Sequence, residues 1–311
     1  MSYRPTFRQL QYVVALDDLR HFGRAASHCH VSQPTLSVQI ALLEQHLEAP
    51  LFDRGTFGVA PTPLGAEIAR RSRLILAQLD DIVMLAEADR KRLGGLIRLG
   101  TVPSFGPYFL PALVRSLHVQ YSDLKLYIRE DRPLDIERAV AEGQIDCAIG
   151  PEPHEEGLHF RRIGIEQIWV GVPTEHPLAT QAQLTLAELK GARFLSLGAG
   201  HRLAEVLRSL AEAAGAAIVD DYEGTSLDAI RQMVSIGMGL SIFPELYARS
   251  EFREGDGVTL RLVSDWSGQR TIGFYWREGA GRAAYFEALA READGIATLE
   301  NLTGHSMSGG G

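Results

Sequence analysis

The sequence has 311 residues, of which 45% are hydrophobic and 23% are charged, and its formal net charge is −8. These values exclude an intrinsically disordered chain and predict a soluble globular protein of two or three domains. Because no apolar run of about 18 residues occurs and no secretory signal is visible, we expect a cytoplasmic protein without a membrane-spanning helix. The two cysteines, Cys29 and Cys147, are too few for a disulfide framework or a four-cysteine zinc site, and no cofactor is expected.

Charge is divided unevenly along the chain. Residues 1–60 contain five arginines and five acidic residues, so the whole negative excess belongs to the remainder. A DNA-binding role is therefore compatible with the first segment, although charge alone would not suggest one.

The first segment predicts short helices separated by turns. Thr6 and Gln9 have the spacing of a capping box, and a second short helix is expected around residues 22–26. Ser32 is the expected N-cap of the following helix, and Pro34 fits the first turn of that helix. The pattern predicts a DNA-binding helix-turn-helix motif. The alternative is a helix pair with a purely structural role, which would have the same sequence pattern.

The helix after Ser32 has an apolar face and several polar side chains that could contact DNA. Its apolar residues recur at spacings of four, three and four: Leu36, Ile40, Leu43 and Leu47. Hydroxyl groups suit phosphate contacts, glutamine suits adenine, and an arginine in the following hairpin could reach a phosphate or the minor groove. The predicted DNA-binding residues are Ser32, Gln33, Pro34, Thr35, Ser37, Gln39 and Arg54.

A long helix is expected to begin at Thr62-Pro63 and to end in a basic cluster at residues 90–92. An apolar stripe runs along it: Leu64, Ile68, Ile75, Leu79, Ile82 and Leu85. Because one such helix outside a compact domain cannot bury this stripe alone, it predicts a dimerising linker.

Beyond Gly95, strands and helices alternate in two series, which predicts parallel α/β sheets in two lobes with a ligand cleft between them. Strands are expected at residues 96–99, 124–128, 145–149, 168–173, 194–197 and 240–243, and helices at 109–119, 136–142, 201–214 and 226–236.

Four stretches carry a family resemblance: residues 21–26, 31–37, 51–54 and 62–65 resemble the winged helix-turn-helix of LysR-type transcriptional regulators. The resemblance implies a DNA-binding domain at 1–62, a dimerisation helix at 63–92, a two-lobed α/β effector domain similar to periplasmic binding proteins at 93–300, and a disordered tail at 301–311. It further implies a homodimer or homotetramer on double-stranded DNA that is switched by a small effector, rather than an enzyme.

Residues 29–37, 103–108, 225–227 and 270–273 resemble the peroxide-sensing branch of that family. That branch carries a reactive cysteine directly after a Gly-His pair and a second cysteine nine residues later. Here those positions hold Arg202 and Ala211, so the thiol switch cannot operate. Cys29 and Cys147 are expected to be inert packing residues, and a redox response through either of them is the alternative.

The substitution places a guanidinium where the thiol would be. Arg202 would lie in the first turn of a helix, where free amides favour an anion, and could hold a carboxylate or phosphate. Following the family pattern, Ser104 and Thr225 would face it, and His201 could donate to the same ligand. The resulting prediction is an anionic effector, and the alternative is that Arg202 pairs with Glu205 or another acid while His201 only packs.

Two other classes of protein fit the sequence less well. An enzyme has no support, since the sequence lacks a Gly-x-Ser-x-Gly elbow, a phosphate-binding loop and metal-spaced histidines. A solute-binding protein would have no use for residues 1–92.

Val38 and Ala41 occupy places where the family often has basic residues, so we expect a shallow salt dependence of DNA binding.

Overall fold

The computed structural model describes residues 3–55, 58–88 and 95–299. The chain divides into two compact units. The first comprises Met1–Lys91 together with two short pieces, Glu142–Gln144 and Gly279–Arg282. The second comprises the rest of the chain. The predicted basic cluster at 90–92 and the predicted tail at 301–311 lie outside the described residues, and the four domain boundaries stay predictions. No helix of the described ranges is long and apolar enough to cross a membrane.

The first unit consists of four helices and a two-stranded hairpin: α1 (Phe7–Leu19), α2 (Phe22–His28), α3 (Gln33–Leu47), β1 (Phe52–Gly55), β2 (Gly58–Pro61) and α4 (Pro63–Ala88). The predicted capping box is confirmed, because Thr6 accepts from the amide of Gln9 while the Gln9 side chain accepts from the amide of Thr6. Ser32 caps α3 by accepting from the amide of Thr35.

The core of this unit fixes which face of α3 is buried. Leu36, Ile40 and Leu43 are completely buried, in the same apolar cluster as α1 and the paired alanines of α2. A Cβ at Gly65 would lie 1.9 Å from the carbonyl oxygen of Leu51, so only glycine allows the start of α4 to pack this closely on the chain before the hairpin. The opposite face of α3 is therefore held outward by a rigid scaffold.

The described part of the second unit contains nine strands and six α-helices. In chain order they are β3 (Gly95–Thr101), α5 (Gly106–Gln120), β4 (Leu124–Glu130), α6 (Pro133–Ala141), β5 (Cys147–Pro151), β6 (Leu158–Pro173), β7 (Arg193–Leu197), α7 (Arg202–Ala214), β8 (Ala217–Gly224), α8 (Leu227–Ser235), β9 (Ser241–Pro244), α9 (Glu245–Glu251), β10 (Val258–Arg261), β11 (Gln269–Arg277) and α10 (Ala283–Leu299).

These elements form two lobes that share β6. In the first lobe, β6 pairs with β11, and the sheet continues through β5, β3 and β4. In the second lobe, the last residues of β6 pair with β9 and β10, while β7 and β8 pair beside them. The second lobe has its own apolar core, built around Phe194, Leu207 and Phe243. The predicted two-lobed α/β architecture is thus confirmed.

The expectation of parallel sheets is correct for only some of the strand pairs. The pairs β3–β4, β3–β5 and β7–β8 are parallel, but β11 runs antiparallel to both β5 and β6, and β9 and β10 run antiparallel to β6. Alternating strands and helices predict that successive strands are joined by helical crossovers and run parallel. The chain instead returns to the first lobe through β11, after all the strands of the second lobe, and β11 runs antiparallel to its neighbours. The sequence reading also missed β8, α9, β10, β11 and α10.

Candidate functional site

The N-terminal half of α3 presents the predicted DNA-contacting residues. Gln33, Pro34 and Thr35 are exposed in its first turn. The hydroxyl groups of Ser32 and Thr35 lie 2.8 Å apart, and Ser32 also holds the helix cap, so both hydroxyls already have partners within the protein. A phosphate contact from either would be made by the lone pair or proton left over from this pairing.

The remaining predicted residues differ in accessibility. Ser37 is half-buried, and the half-buried Gln39 accepts a 3.3 Å hydrogen bond from Gln9 of α1, so its side chain supports the helix pair. The side chain of Arg54 lies outside the described part of the chain. Contacts of these seven residues with DNA stay predictions.

A cleft of about 90 Å³ lies between the two lobes of the second unit. A cleft of this size suits a small ligand. All four predicted effector residues line it, namely Ser104, His201, Arg202 and Thr225, and a ligand role for them stays a prediction. Gly200, two residues before α7, adopts a φ of +88°, which lets the chain turn into the helix whose first residues line the cleft.

The guanidinium of Arg202 is already paired with side chains of the protein. Its Nη2 lies 2.8 Å from both carboxylate oxygens of Glu137, and its Nη1 lies 3.1 Å from Glu205 and also contacts Nδ1 of His154. Only 8% of Arg202 and 1% of Glu137 is exposed. This is the structural alternative left open by the sequence, since Glu205 is indeed a partner, although the main partner is a buried acid of the other lobe.

A second buried arginine lines the cleft, and sequence reasoning did not identify it as a site residue. Arg270 donates to Glu166 through Nε at 2.6 Å and to the Ser104 hydroxyl through Nη1 at 2.9 Å. Its Nη2 donates to the Ser104 carbonyl at 3.1 Å. Glu166 is completely buried and also accepts from the amide of Leu246 at 2.8 Å. Ser104 is therefore held in place by a fully paired network.

Two tyrosines form part of the apolar wall of the cleft. Tyr108 of the first lobe packs edge-on against Tyr247 of the second, with ring centroids 5.8 Å apart. The Tyr247 hydroxyl donates to Asp228 at 2.7 Å. Burial, followed by nearby carboxylates, raises the pKa of both tyrosines, so both hydroxyls stay protonated donors at neutral pH.

His201 lies at the start of α7 and its side chain makes no capping hydrogen bond. Burial lowers its pKa, and the guanidinium of Arg132 lowers it further, while Asp135 acts in the opposite sense. At neutral pH the imidazole is therefore uncharged and can offer one donor and one acceptor to the cleft.

The two cysteines lie in packed surroundings and neither is in a disulfide. Cys147 is completely buried in β5. Burial raises the pKa of the Cys29 thiol, which lowers the thiolate population at neutral pH.

Comparison with known proteins agrees with both units. Residues 7–66 match the family described as bacterial regulatory helix-turn-helix protein, lysR family, and residues 90–295 match the LysR substrate binding domain. The hydrogen peroxide-inducible genes activator of Pectobacterium carotovorum is 32% identical over 91% of this chain and 94% of that protein. The DNA-binding transcriptional dual regulator OxyR of Escherichia coli K12 is also 32% identical, over 91% of this chain and 93% of that protein.

Solved structures give the same result. Full-length OxyR from Pseudomonas aeruginosa, with a cysteine-to-aspartate substitution, superposes with a TM-score of 0.79 at 31% identity and covers 94% of this chain and 95% of that one. A cysteine mutant of Corynebacterium glutamicum OxyR gives a TM-score of 0.64 at 28% identity, covering 97% of this chain and 96% of that one. The chain therefore belongs to the LysR family of DNA-binding transcriptional regulators and is OxyR-like.

Proposed function

We propose that this regulator responds to a small molecule in the interlobe cleft and does so without thiol chemistry. The observation that carries the proposal is the pairing of Arg202 with Glu137, because it fills the place of the reactive cysteine with a buried ion pair between the lobes. No thiolate stands there to attack peroxide. The polar groups left to face a ligand come from Ser104, His201 and Thr225.

The charge of the cleft argues against the anionic effector predicted from the sequence. Both guanidinium groups that line it, Arg202 and Arg270, are already neutralised by buried carboxylates, and Asp228 adds a negative charge. An anion would have to compete with Glu137 or Glu166 for its partner. We therefore propose that the effector is a small uncharged or zwitterionic polar molecule.

Switching requires the effector to bind one arrangement of the lobes better than another, since equal affinity shifts no equilibrium. Polar groups that bind it come from both lobes: Ser104 from the first, and His201 and Thr225 from the second. A ligand that contacts all three residues binds most tightly at one particular distance between the lobes. We propose that this spacing is transmitted to the arrangement of the oligomer on DNA.

The oligomer is proposed to form through α4. Leu64 and Ile75 are each 45% exposed and Ile82 is 62% exposed along the predicted stripe. Three large apolar side chains on one side of a helix favour pairing with a second copy.

The first experiment is a footprint of the full-length protein on a duplex enriched from random sequences, with and without peroxide. The expected result is protection over several helical turns that does not change with peroxide. A shift that disappears when Cys29 or Cys147 is replaced by serine would overturn thiol-independent sensing and support the redox alternative.

A thermal-shift screen then identifies the effector class with neutral, zwitterionic and anionic arms. A true ligand at about a hundredfold excess over its Kd should raise the Tm by roughly 5 °C or more. The increase should be lost in Ser104→Ala and Thr225→Val and retained in the double variant Arg202→Met/Glu137→Met, which leaves no unpaired charge in the cleft. Hits confined to anions, and abolished in that double variant, would restore the anionic effector and refute the uncharged one.

A further inference from the structure

The outward face of the recognition helix carries no charge. From Gln33 to Leu43 the sequence contains no acidic or basic residue. The face that α3 turns away from the core consists of Gln33, Pro34, Thr35, Val38, Ala41 and Leu42, all of them exposed. A helix-turn-helix protein places the N-terminal part of this helix in the major groove. The base-reading surface of this regulator is therefore amide, hydroxyl and apolar.

Val38 lies where that surface would meet base edges. It follows Pro34 by four residues, so the two side chains lie on the same face, one turn apart. Val38 is 55% exposed, while its neighbours Leu36 and Ile40 are completely buried. Single exposed apolar residues are ordinary on protein surfaces. This one is the sixth residue of the recognition helix, and the rigid packing of α3 prevents it from turning inward.

The chemistry of the major groove narrows what such a surface can read. Guanine is usually read by arginine or lysine and cytosine by a carboxylate, and α3 offers neither between Gln33 and Leu43. An amide can pair with adenine, and an apolar side chain can pack on the C5-methyl group of thymine. These two contacts together describe an A·T pair.

We propose that Val38 is a specificity-determining residue that reads a thymine methyl group in each half-site of the operator. The inference rests on DNA binding through α3. Burying one methyl group against Val38 corresponds to about a fourfold gain in affinity per half-site.

The test removes the methyl groups of Val38 and the methyl group of each thymine, separately and together, and compares the DNA affinities. Duplexes are enriched from random sequence with the full-length protein, and each thymine of the protected half-sites is then replaced in turn by deoxyuridine, which lacks only the methyl group. Affinities of the wild type and Val38→Ala are measured by fluorescence anisotropy at one fixed salt concentration. Because Val38 is exposed, the variant should keep its circular dichroism and its unfolding midpoint.

The expected result is one thymine per half-site whose replacement weakens the wild type about fourfold but leaves Val38→Ala unchanged. Gln33→Ala is the matched control on the same face, and it should keep the response to this deoxyuridine while losing affinity overall. Equal losses for wild type and Val38→Ala at every thymine would overturn the proposal while leaving DNA binding intact. Failure to enrich any sequence would overturn DNA binding as well, so the two failures are distinguishable.

Discussion

The Arg202 guanidinium meets the Glu137 carboxylate across the lobes through a single nitrogen, Nη2, which lies 2.8 Å from each carboxylate oxygen. Glu137 also accepts from the backbone amides of His154 at 3.0 Å and Glu155 at 3.3 Å. Both carboxylate oxygens are thus hydrogen-bonded while being almost inaccessible to water. Such a pair costs much desolvation, so it fixes an arrangement of the lobes more than it adds to stability.

Breaking this pair from one side should destabilise the second unit. Arg202→Met or Glu137→Met leaves a buried charge without its partner and should lower the free energy of unfolding by about 3 kcal/mol. The free energy of unfolding of the double variant should be closer to that of the wild type than either single variant's is, because the double variant leaves no buried charge without a partner. Urea unfolding of the full-length chain measures all three.

The control for this cycle is the exposed pair Arg132–Asp135, whose Arg132→Met variant should lose less than about 1 kcal/mol. Additive losses in the Arg202/Glu137 double variant would show that the two side chains act independently, contrary to the structure.

Mild peroxide should leave both thiols reduced. Cys147 has no exposed surface, and the raised pKa of Cys29 keeps its thiolate scarce at neutral pH. Mass spectrometry after peroxide treatment and alkylation of the native protein should find no sulfenic acid and no disulfide. Both cysteines should be alkylated once the chain is unfolded in urea, and oxidation of native Cys29 under the same mild conditions would contradict the packing role.

Acidic substitutions on the α4 stripe should separate the oligomer. Ile75→Glu or Ile82→Glu puts a charge into the surface proposed to meet a second copy, so sedimentation should show monomers. DNA affinity should fall at least about tenfold, because two linked half-sites are no longer bound together. Ala66→Glu lies on the same helix away from the stripe, and without DNA it should sediment like the wild type. Unchanged sedimentation of both stripe variants would place the oligomer contact elsewhere.

His201 should make stability depend on pH. Its pKa is lowered in the folded state, so the unfolded chain takes up a proton first as the pH falls below about 6.5. Stability is therefore full above that pH and is lost as the pH falls toward the folded-state pKa. His201→Asn should lose less stability than the wild type between pH values about one unit above and below 6.5. An identical loss in both proteins would mean that other groups cause the dependence.

Local patterns in the sequence predicted those features that depend only on residues close together in the chain. Thr6 with Gln9 and Ser32 with Thr35 are caps made within one turn, and they formed as expected. The pairing of Arg202 with Glu137 spans 65 residues and that of Arg270 with Glu166 spans 104, so no spacing rule could have found them. β11 was not predicted at all, and even a strand pattern there would have carried no information about which strands it joins or in which direction.

The continuity of β6 has a consequence for cooperativity. Gln167 pairs with Gln269 in one lobe and the next residue, Ile168, pairs with Pro244 in the other, so a single backbone crosses the boundary without a loop. Neither lobe can lose its part of β6 without exposing the edge of its own sheet. Proteolysis or separate expression would therefore not release two independent halves, and the lobes should melt in one transition, even though each has its own core.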